Sequence, residues 1–397
     1  MSKPFRRLWF GTGISAIGSQ ITAVAIPYQV YRDTGSTFVV GLLGIAALIP
    51  LLVVPLYGGA VADAVDRRKL LLLSDVGLAL VTLGLLANSL LADPSVPVLF
   101  AAELLGTAAY GFQSPTRNAL TPSLVPPDKL TAALAIDDVI FTLARTAGPA
   151  FGGLLIAAVG LSGAFALDML TFAASFVVIW LLPSLPAAPG ADRPSWRSIL
   201  DGLRYVRTRK ELLGIFVIDS NAMFFGFPNA LLPAFAAGLG GGAGTLGFLY
   251  AAPYTGAFAA SVSSGWVQHV RRQGVGVCIA ASLWGAALVG FGFSTTLWLA
   301  LVMLAAAGAA DYVSAILRNS ILLAATPDHL RGRLSGIELA QVASTPQLGN
   351  VEAGTVAALT SVRFSIVSGG ILTVLGTGVV ALAMPALVHY DARRARE

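Results

Sequence analysis

Apolar residues do not alternate with polar ones along this chain. They run in long blocks, near 8–30, 38–58, 70–91, 97–117, 133–159, 163–182, 212–236, 245–267, 275–293, 297–317, 334–360 and 364–388. Each block is close to the roughly 20 apolar residues that a helix needs to cross a bilayer. A membrane barrel would show polar and apolar residues in turn along its strands, so helices are the expected spanning form. The pattern predicts an all-α membrane protein with twelve transmembrane helices.

The connections test that reading. With successive connections placed alternately inside and outside, 22 of the 25 Lys and Arg fall in, or at span ends facing, the inner set. The exceptions are Arg32 and Arg363, which face out, and Arg145, which lies within a span. This bias puts both termini in the cytoplasm. Outer connections such as GLSG and ADPSVP are very short, so none can hold a soluble catalytic domain. The basic start MSKPFRR leads into a full-length apolar block without a convincing cleavage site, and reads as an uncleaved first helix.

The longest polar segment, 183–211, opens with the linker composition PSLPAAPGADRP. Beyond it, Trp196, Ile199, Leu200 and Leu203 recur at helical spacing among basic residues, as in an amphipathic helix at the cytoplasmic interface. A plain solvated helix is the alternative. The segment separates residues 1–182 from 212–397, two six-span bundles that resemble each other. RNALTPSLVPPDKL follows the fourth span and RNSILLAATPDHL the tenth, each reading Arg-Asn and then Pro-Asp-x-Leu. Internal repeats of this size are a route to transporter architecture, with the binding site at the repeat interface.

Composition agrees. The 397 residues are 56% hydrophobic and 11% charged, against roughly 25% charged in a soluble domain, so lipid is the natural solvent. Cys278 is the single cysteine and the three His are far apart, which leaves no disulfide and no metal-ligand spacing. The net charge of +5 comes from bases in loops, and membrane orientation explains it better than nucleic acid does. No cofactor is expected, and no phosphate-binding G-x-x-x-x-G-K-[ST] is present, so ATP is not the direct energy source.

The stretch YGGAVADAVDRRKLLLLSD, 57–75, gathers charge in otherwise apolar ground. It reads as a tight cytoplasmic turn between the second and third spans. Gly59 lets another helix come close, Asp63 can pair with an arginine or with a helix N-terminus, and Arg67, Arg68 and Lys69 anchor the turn. This turn resembles the signature loop of the major facilitator superfamily. FQSPTRNALTPSLV, ARTAGPAFGGLLIAAVG and ATPDHLRGRLSG are similar to the branch that includes bacterial macrolide, multidrug and siderophore exporters, and the resemblance covers essentially the whole chain.

The resemblance implies two pseudo-symmetric six-helix bundles enclosing a wet crevice and working by alternating access. It implies that the signature loop latches the cytoplasmic side, with Asp63 at the start of the eleventh helix after Arg331-Gly332-Arg333, and with Arg67 and Arg117 in the same charge cluster. Asp66 stands where the superfamily pattern usually has Gly. Gly148-Pro149-Ala150-Phe151-Gly152-Gly153, after Arg145, resembles the antiporter motif, with Ala144 in place of a further Gly; in the family this motif tracks with export. A plain kinked packing helix is the alternative. Many proton-coupled relatives carry an Arg four residues before a Gly of the fourth span; here that position is Ala102.

Ionisable residues inside a membrane are costly and are functional candidates by default. The fourth span carries Glu103, Thr107, Tyr110, Ser114 and Arg117 on one face; the tenth carries Asp311, Ser314 and Arg318; the eleventh carries Glu338, Gln341, Thr345 and Glu352, the last near its middle. The first carries Thr12, Ser15, Ser19 and Thr22, which line a water path or simply join helices. Asp219 adds a charge in the seventh. Glu103, Tyr110, Asp219, Asp311 and Glu352 are the candidates for a proton or substrate pathway, and Arg145 is a possible exchange partner for an acid. Asp137 and Asp138 read as caps or structural pairs, and Asp168 as structural. Phe224, Phe225, Phe227, Tyr250 and Tyr254 either stack on a ring-bearing substrate or pack.

The expected function is proton-driven export of small hydrophobic molecules (drugs, antibiotics or siderophores) by a monomer in a bacterial cytoplasmic membrane. The expected partners are the substrate, protons and the bilayer. Proton-coupled metabolite uptake and a non-transporting receptor or scaffold are the alternatives. An enzyme is not expected, since no nucleophile–base pair stands out.

Overall fold

A computed structural model of the chain describes residues 2–183 and 204–391, with their side chains except at 55–64, 114–115, 118–119 and 329. The amphipathic helix expected at 196–203 lies outside the described residues. Among those described there are helices and no strands.

Helix α1 (Lys3–Thr34) starts where the Ser2 hydroxyl accepts from the Phe5 amide at 3.2 Å, and stops at Gly35, whose φ of +63° only glycine adopts cheaply. Helices α2 (Thr37–Ala64), α3 (Arg67–Ser89) and α4 (Val96–Leu124) follow. Then comes α5 (Leu130–Trp180), continuous except at Gly160, where φ +74° and ψ 177° break the helix. The fifth and sixth spans expected from the sequence are the two limbs of α5, joined by this single residue rather than by a four-residue loop. The remaining elements are α6 (Lys210–Phe225), α7 (Leu232–Gly238), α8 (Ala243–Val262), α9 (Gln273–Gly292), α10 (Leu297–Ala325), α11 (Asp328–Leu359), α12 (Val362–Ala383) and the short α13 (Pro385–Val388).

The seventh expected span lies within a stretch, Lys210–Gly238, that can cross a membrane, but its helix is interrupted. The apolar block 212–236 is not one helix: α6 ends at Phe225, a 3₁₀ turn covers Asn229–Leu231, and α7 follows. The cause is local, because Gly226 and Pro228 stand together and Pro228 has no amide to continue the ladder. By length and composition alone, eight described stretches can cross a membrane, and one of them, Pro127–Trp180, is the two-limbed α5. Large apolar side chains stand exposed on these helices, among them Leu73, Leu80, Ile279, Leu375 and Leu382. Such a surface suits lipid and not water.

The chain forms two compact units. Unit 1 is Met1–Gly35, Ile45–Arg193 and Gly240–Ala251; unit 2 is Ser36–Gly44, Pro194–Leu239 and Ala252–Glu397. In unit 1, Phe5 and Leu8 of α1 pack with Leu71, Leu120 and Ile179, all nearly inaccessible. In unit 2, Leu212, Ile218, Val277, Leu317, Leu334 and Leu387 form the corresponding core, and Cys278 lies against it.

Each unit contains a seam where a glycine of one helix nearly touches a glycine of another. In unit 1 a Cβ on Gly153 of α5 would lie 2.7 Å from the Gly247 Cα of α8. In unit 2 a Cβ on Gly354 of α11 would lie 3.1 Å from the Gly41 Cα of α2, beside a hydrogen bond from the Thr37 hydroxyl to the Gly354 carbonyl at 3.1 Å. Positions 153 and 354 are separated by the same interval as Arg117 and Arg318 of the repeated motif (354 minus 153, and 318 minus 117). The internal repeat read from the sequence is therefore a repeat in packing.

Candidate functional site

In unit 2, α6, α10 and α11 bring charged groups together inside the membrane-spanning region. Asp219 follows Leu212, Ile215 and Ile218 on the buried face of α6, and is 4% exposed. Arg318, which follows Ser314 and Leu317 on α10, forms an ion pair with it. The other Arg318 amino group lies 4.0 Å from Asp311, two turns earlier on α10. From α11, the Gln341 amide nitrogen donates toward the Asp219 carboxylate at 3.1 Å, the Ser220 hydroxyl at 3.0 Å and the Phe216 carbonyl at 2.9 Å. Glu338, one turn before Gln341, lines the same recess with Ile215 and Leu322.

This grouping is a chemical device. Arg318 is always charged, and a charge away from water is tolerated only when paired. Asp219, Asp311 and Glu338 compete for one cation. One guanidinium among three carboxyl groups leaves the cluster with a place for a proton.

The counterpart in unit 1 is built differently. Arg117 of α4 lies over the Phe141 ring of α5 at 3.6 Å. Its ionisable neighbours are Tyr110, Asp137 and Arg145. Asp137 accepts from the Thr121 hydroxyl at 2.9 Å. It stands at the same interval from Arg117 as Glu338 does from Arg318 (137 minus 117, and 338 minus 318). Glu103, further along α4, forms no hydrogen bond or ion pair with any described residue, and neither does Glu352 on α11. Glu352 lies 7 residues before the end of α11 at Leu359 (359 minus 352).

Two further acids are held by hydrogen bonds alone. Asp75 of α3 is 1% exposed and accepts from Gln113 and from Ser175, each at 2.7 Å. Asp168 of α5 is inaccessible and accepts from Thr22 at 2.5 Å, Thr171 at 3.3 Å and Thr82 at 3.4 Å. In the polar stripe of the first span, Thr12, Ser15 and Ser19 each donate to a carbonyl of α1 itself, and Thr22 joins α1 to α5 through Asp168.

At the signature turn, Asp66 caps α3, accepting from the Arg68 amide at 2.9 Å. The departure from glycine thus supplies a helix start. The Arg68 guanidinium donates to the Trp180 carbonyl at the end of α5. The side chain of Asp63 and the packing at Gly59 lie outside the described residues, and so does the latch contact expected there. In the antiporter-like stretch, Gly148, Pro149, Gly152 and Gly153 are all buried, with Gly148 and Gly152 against Gln20 and Ile21 of α1. Phe224 and Phe225 meet edge to face at 4.9 Å, while Tyr254 is 42% exposed.

An all-helical, lipid-facing chain with an internal repeat has the make-up of a multi-pass membrane protein. A family model described as transmembrane secretion effector matches residues 1–395. The chain belongs to that family of the major facilitator superfamily. It is 31% identical to the enterobactin exporter EntS of Escherichia coli K12 over 97% of this chain and 93% of that protein. The enterobactin exporter EntS of Shigella boydii serotype 4 is 31% identical over 99% and 93%. Among solved structures, a bacterial homologue of the iron transporter ferroportin in an inward-facing state superposes with TM-score 0.73 at 13% identity, covering 98% of this chain and 99% of that one. The nucleoside transporter NupG superposes with TM-score 0.73 at 14% identity, covering 98% and 100%. These two likenesses establish the fold alone.

Proposed function

We propose that this protein is a proton-coupled exporter of siderophore-like molecules, working by alternating access in a bacterial cytoplasmic membrane. The direction and substrate class rest on its similarity to proteins named as enterobactin exporters. The coupling rests on one observation: Arg318 held among Asp219, Asp311 and Glu338. A proton arriving at this cluster releases one carboxylate from the guanidinium, and its departure restores the pair. That exchange gives α6, α10 and α11 two states whose balance follows the proton gradient. Residues 1–182 and 212–397 act as the two six-helix bundles, joined by a cytoplasmic linker at 183–211, with both termini inside and the monomer as the working unit. Asp63, Arg67 and Arg117 form the cytoplasmic latch.

The test is flux of enterobactin in proteoliposomes under an imposed pH gradient. Movement against the proton flow that stops with a protonophore supports the reading. Flux indifferent to the gradient, or in the direction of the protons, overturns it.

A further inference from the structure

We infer that the charge cluster of unit 2 is polarised across the membrane: the proton enters it at Asp311, near the bilayer midplane, and leaves it for the cytoplasm at Glu338. The inference rests on the proton-coupled reading and adds the side from which each acid is reached.

Depth comes first. Helix α10 ends at Ala325 and α11 begins at Asp328, so one tight turn gives both helices a common level. With both termini inside, that turn is cytoplasmic. Asp311 stands 14 residues from each end of α10 (311 minus 297, and 325 minus 311). At about 1.5 Å per residue its backbone is roughly 21 Å from either end, in the middle of the span. Glu338 is 10 residues into α11 (338 minus 328), and Arg318 is 7 from the end of α10 (325 minus 318). Their backbones are roughly 15 Å and 10 Å from the inner ends of their helices. Asp219 is 9 residues into α6 (219 minus 210), at about 13 Å. Two of the three acids thus lie in the cytoplasmic half with the arginine, and Asp311 alone lies at mid-depth.

Exposure divides the acids in the same way. The large apolar side chains exposed on α10 are Trp298, Val302 and Leu323. At about 100° per residue they lie roughly 120–180° around the helix from Asp311. Lipid covers their side, and the Asp311 side chain, 38% exposed, opens on the other. Asp219, by contrast, is closed off. Glu338 lines the recess and has no hydrogen bond or ion pair with any described residue, so it takes up and loses a proton without breaking a contact. The recess wall continues toward the inner surface through Leu322, 3 residues from the end of α10 (325 minus 322), and Ile215, 5 from the start of α6 (215 minus 210).

The groups between the two ends complete the path. Arg318 is an ionisable neighbour of all three acids, and Asp219 neighbours both Asp311 and Glu338. From α9, α12 and the 3₁₀ turn Ser264–His269, packed around them, the ionisable residues are Cys278, Arg363 near the outer start of α12, and His269. Arg318 keeps its charge, so a proton crosses only on neutral carboxyl groups. Asp311 gains it and the guanidinium is left to Asp219; Glu338 gives one up to the cytoplasm and is a carboxylate again. Ser314, one turn from Asp311 and one from Arg318, is 2% exposed, and its hydroxyl has no partner among the described residues. A buried hydroxyl left free is unusual, and this one is both donor and acceptor between the two ends.

The test is sided carboxyl labelling of the full-length protein in right-side-out and inverted membrane vesicles, using a water-soluble carbodiimide with glycine methyl ester and mass spectrometry to read each residue. Asp311 is expected to be modified from the outer face, and Glu338 from the cytoplasmic face with loss of labelling from the outer one. Equal modification of Glu338 from both faces, modification of Asp311 from the cytoplasmic face alone, or no modification of either acid overturns the polarity. In proteoliposomes, Glu338→Gln is expected to lose the dependence of enterobactin flux on cytoplasmic pH, and Glu338→Asp to keep it; a Glu338→Gln protein that still follows cytoplasmic pH overturns the exit assignment. Gradient-driven flux in the wild type with the wrong sidedness sinks the polarity and leaves the exporter. The expected sidedness with flux indifferent to the gradient sinks the coupling and leaves the two access routes.

Discussion

Replacing Asp219 with Asn tests the charge cluster most directly. Asp219 and Arg318 are 6% and 9% exposed at their side chains, so the pair is almost wholly withdrawn from solvent. Removing one partner of such a pair strands the other and costs about 3–5 kcal/mol. The two directions are not equal. Arg318→Met leaves a carboxyl group, which takes up a proton and becomes neutral. Asp219→Asn leaves a guanidinium, which cannot shed its charge, and its nearest remaining anion is Asp311 at 4.0 Å. Asp219→Asn is therefore expected to be the more damaging of the two, and the double variant is expected to recover most of the loss. One kcal/mol moves the midpoint by about 2–4 °C at 150–250 residues and by less in a longer chain, so the expected drop is roughly 3–10 °C. The single thiol, Cys278, supplies the assay: it packs against the core of unit 2 and reports unfolding to a fluorogenic maleimide as detergent-solubilised protein is heated. A midpoint for Asp219→Asn equal to wild type, or a double variant as unstable as the two single losses added together, would refute the pairing argument.

Other outcomes follow from the same geometry. Gly153→Ala is expected to destabilise strongly, since its Cβ would meet the Ala243 carbonyl oxygen at 2.4 Å and the Gly247 backbone, and Gly77→Ala of α3 not to destabilise, since its Cβ would make only an ordinary contact with Ala109 at 3.7 Å; heating the pair side by side checks the order. Asp75→Leu is expected to cost about 1–3 kcal/mol for each donor left unmet, Gln113 and Ser175, and Asp75→Asn less, measured by the same melting assay. Glu103→Gln and Glu352→Gln are expected to leave the melting midpoint unchanged, because neither acid has a partner among the described residues; a fall of several degrees in either would show a hidden contact. Asp63→Asn is expected to slow enterobactin flux severely in proteoliposomes while membrane insertion stays normal, and wild-type flux would remove the latch.

Much of this was legible in the apolar blocks. Length and spacing alone announce helices, and the Arg-Asn and Pro-Asp-x-Leu echo announces the repeat that returns as the two glycine seams. Asp219, Asp311 and Arg318 stood out because each interrupts an apolar run. That Asp219 meets the other two was not legible, because ion pairing between α6 and α10 depends on how each is rotated, which no single helix encodes. Asp75 was overlooked although its signal was present: Leu71, Asp75, Leu78, Thr82 and Leu85 recur at steps of four and three, placing the acid on the buried face of α3. The break after Phe225 was equally available in Gly226 and Pro228, and was hidden by the hydrophobicity around them.

The hinge at Gly160 gives the two limbs of α5 no slack. A segment joined to its neighbour by one residue cannot slide along it independently, and the second limb is in turn tied through Asp168 to Thr22 of α1 and Thr82 of α3.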